Sequence, residues 1–170
     1  AGIVLYNPDI ERLMENVSSV NIQVDRLYLF DNGSENIDDI YRILHGLSHI
    51  KFISNRVNVG VATALNTLVA VAAEDGYDWI VTLDQDSVAP SNLISEYQKY
   101  AGIKEVGMLC CKIVDRNFGE RIYDKGHDKE VEFVSLCITS ASAVNVNAWK
   151  RVGGFCEKMF IDAVDFDICM

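Results

Sequence analysis

The segment WIVTLDQDSVAP, residues 79–90, drives a short apolar run directly into two aspartates, Asp84 and Asp86, one residue apart. Carboxylates at that spacing repel each other unless a cation or a shared proton relieves them. Hard divalent ions take oxygen ligands, and Mg²⁺ in particular pairs one or two protein carboxylates with phosphate oxygens of a substrate. Such an ion also neutralises charge on a departing phosphate. A turn with two solvated acids is the plainer origin of the same pair.

The elements that would position these acids follow from hydrophobic period. GIVLY at 2–6, RLYLF at 26–30, IKFIS at 50–54 and WIVTL at 79–83 read as strands. Between them, helical patterns run from Pro8 and Asp9 to about Val20, over 37–47 and over 61–73, with a fourth over 91–100. This alternation predicts an α/β fold with a parallel sheet and right-handed crossovers. Ligands of such sheets bind beyond the carboxyl ends of the strands. Those ends carry Asn7, DNGS at 31–34, NRVNVG at 55–60 and DQDS at 84–87, which would share one rim. DNGS also reads as an ordinary turn, and NVG at 58–60 as a helix lead-in.

Beyond Gly102, VGMLCCKIV at 106–114 reads as a strand, 115–130 as a polar excursion in which His127 is a surface histidine, and 131–149 as one or two further strands. The chain stops at FDICM, inside a segment that still reads as structured, which suggests a fragment of a longer protein.

With 170 residues, 49% of them apolar, the chain is of one-domain size and can bury a core. Its formal charge of -10 opposes general binding to nucleic acid or anionic lipid. Five cysteines without a Cys-x-x-Cys spacing and three histidines argue for reduced thiols in a cytosolic setting, without zinc. The adjacent Cys110 and Cys111 read as small apolar residues on a strand. The longest apolar stretch, 59–73, is interrupted by Asn66 and too short to span a bilayer.

In order along the chain, YNP at 6–8, DNGS at 31–34, NVGVATALN at 58–66, GYDWIVTLDQDS at 76–87, GGF at 153–155 and FIDAVDFDIC at 160–169 resemble the family 2 glycosyltransferases, most closely the bacterial rhamnosyltransferases. The resemblance implies a single-domain GT-A fold, a Rossmann-like, mostly parallel sheet flanked by helices. Residues 1–101 would form the donor-binding half, and 102–170 an acceptor-side half truncated at its C-terminus. Tyr6, Asn7 and Asp31 would line the base and ribose pocket, with Asn58 and Gly60 close by. Asp84 and Asp86 match the metal-binding Asp-x-Asp motif, with Asp86 the more direct ligand of Mg²⁺ or Mn²⁺ through the donor diphosphate. Asp165, in VDFD at 164–167, would be the base, with Asp162 and Asp167 as alternates. The family's Glu-Asp pair is Val164-Asp165 here, so only one of its two carboxylates is present.

The implied reaction is an inverting transfer, in which one carboxylate takes the acceptor proton while the hydroxyl attacks from the face opposite the leaving diphosphate. The donor would be dTDP-rhamnose or a UDP-sugar. The acceptor would be a saccharide or lipid-linked oligosaccharide, at the inner face of a bacterial membrane in surface polysaccharide synthesis. Two other readings remain at this point. WIVTLDQDSV also fits the opening motif of haloacid dehalogenase-type phosphatases, with Asp84 as nucleophile, although that motif normally lies on the first strand. A non-catalytic nucleotide-sugar-binding module is the other. GGF is explained equally by turn chemistry and by close backbone approach.

Overall fold

The computed structural model describes residues 1–114 and 131–170; residues 115–130, and with them His127, lie outside the described residues. The elements run β1 (Gly2–Leu5), α1 (Ile10–Asn21), β2 (Leu27–Asn32), α2 (Ile37–Leu44), β3 (Ile50–Asn55), α3 (Val61–Glu74), β4 (Trp79–Leu83), α4 (Leu93–Gln98), β5 (Met108–Leu109), β6 (Ser142–Asn145), α5 (Val146–Val152) and α6 (Val164–Cys169). The sheet order is β3-β2-β1-β4-β6-β5. Strands β1 to β4 are parallel neighbours, whereas β6 runs antiparallel to both β4 and β5.

Period-two alternation distributes the strand side chains between two cores. Ile3, Leu5, Leu27, Leu29, Val81 and Leu83 face one core, shared with Leu13, Val17 and Val20 of α1 and Ile40 of α2. Tyr28, Phe30 and Ile80 face the other, against Ala64, Leu65, Leu68 and Ala72 of α3. Both faces of the sheet are therefore covered, which is why these strands read as nearly continuous apolar runs. Helix α1 starts where the Asp9 carboxylate accepts the Arg12 amide at 3.0 Å.

The second half departs from its sequence reading. Among the described residues, the strand expected over 106–114 is reduced to Met108–Leu109 and an isolated bridge at Val114, and those expected over 131–149 to Ser142–Asn145. The strand pattern is cut at Asn145, whose side chain accepts the Ala148 amide at 2.9 Å and so caps α5 instead of continuing the sheet.

Asn66, which breaks the apolar run of α3, is the anchor for that second half. Its Oδ1 accepts the Trp149 indole N–H at 2.9 Å and the Phe155 amide at 2.8 Å, while its Nδ2 donates to the Phe155 carbonyl at 2.9 Å. A Cβ on Gly154 would lie 2.7 Å from that same Oδ1, on a backbone with φ of +83°. Close approach thus explains the second glycine of GGF, and the left-handed C-cap of α5 explains the first, Gly153.

Replacing Asn66 with alanine strands the Trp149 and Phe155 donors in a partly buried site. We expect Asn66→Ala to cost about 2 kcal/mol and to lower the melting temperature by roughly 4–8 °C, read by thermal denaturation. An unchanged melt would show that α5 and GGF do not depend on this anchor.

Candidate functional site

Because β1 to β4 are parallel, their carboxyl ends open onto one rim, and the polar ends of the strands meet there. The loop after β1 is clipped to both neighbours. The Tyr6 amide donates to Gln85 Oε1 at 2.9 Å and the Tyr6 carbonyl accepts from Gln85 Nε2 at 3.3 Å, so the residue between the two aspartates holds β1's end against β4's. Asn7 donates its amide to Ser34 Oγ at 2.9 Å and accepts the Glu35 amide at 2.7 Å, which ties the same loop to the end of β2.

In the DNGS turn, Asp31 is buried; its carboxylate accepts the Ser34 amide at 3.1 Å and the Ser54 hydroxyl at 3.3 Å. Asn32, also buried, accepts the Val59 amide at 2.9 Å and donates to Asn58 Oδ1 at 2.9 Å, and that oxygen takes the Gly60 amide as well. Asn58 and Gly60 are thus engaged in bracing the β3–α3 loop. A Cβ on Gly60, where φ is +85°, would come within 2.8 Å of the Phe160 carbonyl, which accepts the Val61 amide at 2.7 Å. That contact lays the segment before α6 on the amino end of α3.

The loop carrying Asp84 and Asp86 rests on a polar stripe that runs along α1 and just past its end. Asn16 donates to the Asp84 carbonyl, Ser19 accepts the Ala89 amide at 3.0 Å, and Gln23 donates to the Pro90 carbonyl at 2.9 Å. These positions follow the three- and four-residue spacing of one helix face. From the other side, antiparallel pairing of Thr82 with Ser142 delivers residues 139–141 to the end of β4. The Thr82 hydroxyl donates to the Thr139 carbonyl at 2.6 Å, the Ser140 hydroxyl accepts the Asp84 amide at 3.4 Å, and the Ser87 and Ser140 hydroxyls lie 2.9 Å apart.

Asp165 completes the group. From the first turn of α6 its Oδ1 accepts the Thr139 amide at 3.1 Å. Asp84 keeps an open face to solvent, yet its pKa is raised, first by the protein crowded around it and then by the charges of Asp86 and Asp165, against the pull of the neighbouring Ser140 hydroxyl. Three carboxylates from two distant segments therefore share one local field. Asp167 lies two residues beyond Asp165, about 200° around the helix and so on another face. Asp162 is exposed and precedes α6.

Backbone strain gathers at the same rim. Of the four described non-glycine residues with positive φ, Asn7, Ala141 and Ala163 adjoin these contacts, and only His49 lies elsewhere. Such conformations persist where the surrounding contacts over-determine them. An open cleft of about 440 Å³ lined by Arg26, Lys51, Asp75 and Tyr77 is at the opposite ends of the strands, away from the carboxylates.

The carboxylate oxygens of Asp84 and Asp86 suit a hard divalent ion. Among the described residues no three or more histidine, cysteine or acidic side chains form a ligand cage, so water and substrate phosphate would supply the rest of its shell, as Mg²⁺ ordinarily requires. Thr139 and Ser140 were not anticipated from sequence, and Gln85 and Asn32 were placed at the rim only as members of DQDS and DNGS, without a role. The run of hydroxyls in ITSAS was the available signal, and it was masked by its resemblance to a strand.

Residues 2–161 match the model of glycosyl transferase family 2. The dTDP-rhamnosyl transferase RfbF of Shigella flexneri is 24% identical over 183 residues, covering all of this chain and 61% of its own length. Among solved structures, residues 1–349 of S. aureus TarS superpose with a TM-score of 0.78 at 15% identity, over 99% of this chain and 52% of that one. The mannosyltransferase PcManGT of Pyrobaculum calidifontis, in complex with GDP-Man and Mn²⁺, gives 0.74 at 16% identity, over 98% and 49%. The chain thus spans between about half and two thirds of the length of these relatives. The phosphatase alternative is not favoured, since its motif belongs on a first strand and Asp84 follows the fourth. The chain belongs to glycosyl transferase family 2 and has the GT-A fold.

Proposed function

We propose that this chain is the catalytic core of an inverting glycosyltransferase that moves a sugar, rhamnose, from a nucleotide diphosphate to a hydroxyl of a saccharide or lipid-linked acceptor in bacterial surface polysaccharide synthesis. The observation that carries this reading is the convergence of Asp165 with Asp84 and Asp86 at one rim. One carboxylate pair serves the leaving diphosphate and one carboxylate serves the nucleophile, and no covalent intermediate is required.

In this reading residues 1–101 hold the donor and 102–170 face the acceptor. Tyr6, Asn7 and Asp31 line the nucleoside pocket, with Asn58 and Gly60 shaping its floor. Asp86, assisted by Asp84, holds Mg²⁺ or Mn²⁺, which when bound supplies the positive charge that offsets the departing diphosphate. Asp165, oriented by the Thr139 amide, takes the proton from the acceptor hydroxyl. The Shigella relative is named for dTDP-rhamnose, which supports that donor; one TarS structure holds UDP-GlcNAc, so UDP is the competing nucleotide. No helix among the described residues is long and apolar enough to cross a membrane. By family resemblance, the proposed setting is the cytoplasm, with lipid-linked acceptors met at the inner membrane face.

Calorimetric titration with dTDP and UDP, with Mn²⁺ or with chelator, tests the donor site. We expect metal-dependent binding that Asp86→Ala weakens more than tenfold, a loss of about 1.4 kcal/mol or more; unaltered binding would return Asp86 to the surface. Asp165→Asn should lower transfer by about 10²–10⁴-fold while nucleotide binding stays intact, and a variant that loses both would mark Asp165 as a binding or structural residue.

Stability gives an independent check. Because the folded state raises the Asp84 pKa, its ionised form destabilises the fold at neutral pH, and this cost disappears once acid protonates the group in both folded and unfolded chains. With chelator present, Asp84→Asn should melt higher than the parent at pH 7, and the two melts should converge as pH falls through the carboxylate range. A variant that melts lower at pH 7 would contradict the charge crowding.

A further inference from the structure

Three thiols converge beside α6, outside the carboxylate site. The Sγ atoms of Cys137 and Cys169 lie 3.8 Å apart although 32 positions separate the residues. Cys169 Sγ also lies 3.7 Å from the Cys137 carbonyl oxygen. The Cys110 thiol, from the segment after β5, lies near enough to that of Cys137 for the two to shift each other's titration. All five cysteines are unpaired; Cys110 is exposed, and Cys137 and Cys169 are half-buried. Apolar packing accounts for buried cysteines one at a time. It gives no reason for three from distant segments to meet at a partly open position.

We propose that Cys137 and Cys169 are a reversible disulfide site, entered through Cys110 by exchange with a small disulfide such as oxidised glutathione. The bond needs the sulfurs to close to about 2.05 Å, a movement of roughly 2 Å within reach of side-chain rotation. The Cys110 thiolate attacks one sulfur of the small disulfide, whose S–S bond breaks and releases one small thiolate. Cys137, giving its proton to solvent, attacks the Cys110 sulfur and expels the second small thiolate. Cys169 then gives up its proton and attacks the Cys137 sulfur, forming Cys137–Cys169 and returning Cys110 as thiolate. In sum, two protein thiols lose two electrons and two protons, and the small disulfide takes up both to become two thiols.

The local chemistry agrees with this order of events. The nearby Cys137 draws the Cys110 thiol down to about 7, so much of it is thiolate near neutral pH. The nearness of Cys110, with burial, pushes Cys137 up, so it is a poor first reactant and a resolving thiol. The product bond has a clear place in the fold. Cys137 lies two residues before Thr139, Cys169 lies one turn after Asp165 on α6, and Thr139 and Asp165 are already joined by a hydrogen bond. The disulfide fastens α6 to the segment that orients Asp165.

Incubating the 170-residue chain with oxidised glutathione, alkylating free thiols and mapping tryptic peptides without reduction tests the site. Cleavage at Lys104, Lys112, Lys129, Lys150 and Lys158 separates Cys110, Cys137 and Cys169 onto different peptides. We expect two thiols to disappear, one crosslink between the Cys137 and Cys169 peptides, full reversal by dithiothreitol, and slower closure in Cys110→Ser. In Cys169→Ser the crosslink should shift to Cys110–Cys137. Five free thiols after incubation, or a crosslink in the parent through Cys111 or Cys156 instead, would overturn the proposal. The parent map decides the matter even if a serine variant fails to fold.

Discussion

Asp84 carries a charge that its own surroundings disfavour, and much of the architecture on this side of the sheet exists to keep it there. Crowding by protein and the fields of Asp86 and Asp165 oppose its ionisation. Left unsupported, a loop bearing such charges would swing outward and let water separate them. Instead it is pinned from three directions: by Asn16 and Ser19 of α1 and Gln23 just past its end beneath, by Gln85 against Tyr6 on one flank, and by Ser140 on the other. The repulsion is thereby stored in the fold, and a bound cation would release it.

The antiparallel strand β6 makes this arrangement possible. A further parallel strand in its place would have put the start of that strand at the far end of the sheet from Asp84. Running the other way, β6 begins where β4 ends, so Thr139 and Ser140 arrive at the rim and Thr139 orients Asp165. Helix α6 reaches the same place by a separate route, through Phe160 against Gly60 and the first amide of α3. Two chain segments far apart in sequence thus become neighbours at the rim, joined by the Thr139 amide and the Asp165 carboxylate.

How much of this was legible in the sequence depends on whether the signal is local. Alternation and helical period placed β1 to β4 and α1 to α3 with small shifts at their ends, because both faces of the sheet are buried and the apolar runs are correspondingly clear. The rim carboxylates were legible because two acids at the end of an apolar strand conflict with ordinary packing. The region after Gly102 was not. The two-residue β5 pairs through a register set by β6, and the strand pattern around Val144 and Val146 conceals a helix start at Asn145, whose capping role was a signal passed over. Gln85 and the hydroxyls of 139–140 carry no charge to mark them. The thiol cluster is wholly non-local, since nothing in the spacing of Cys110, Cys137 and Cys169 indicates that they meet.

In the proposed function, Asp84, Asp86 and Asp165 border one site for a divalent ion and a nucleotide diphosphate. Paramagnetic broadening by Mn²⁺ in the ¹⁵N spectrum, recorded with dTDP present, tests it most directly. We expect selective loss of the amide signals of residues 84–87, 139–140 and 164–165, while those near Asp75 at the opposite ends of the strands persist. Broadening centred on other acids, such as Asp38 and Asp39 on α2, with residues 84–87 unaffected, would contradict it.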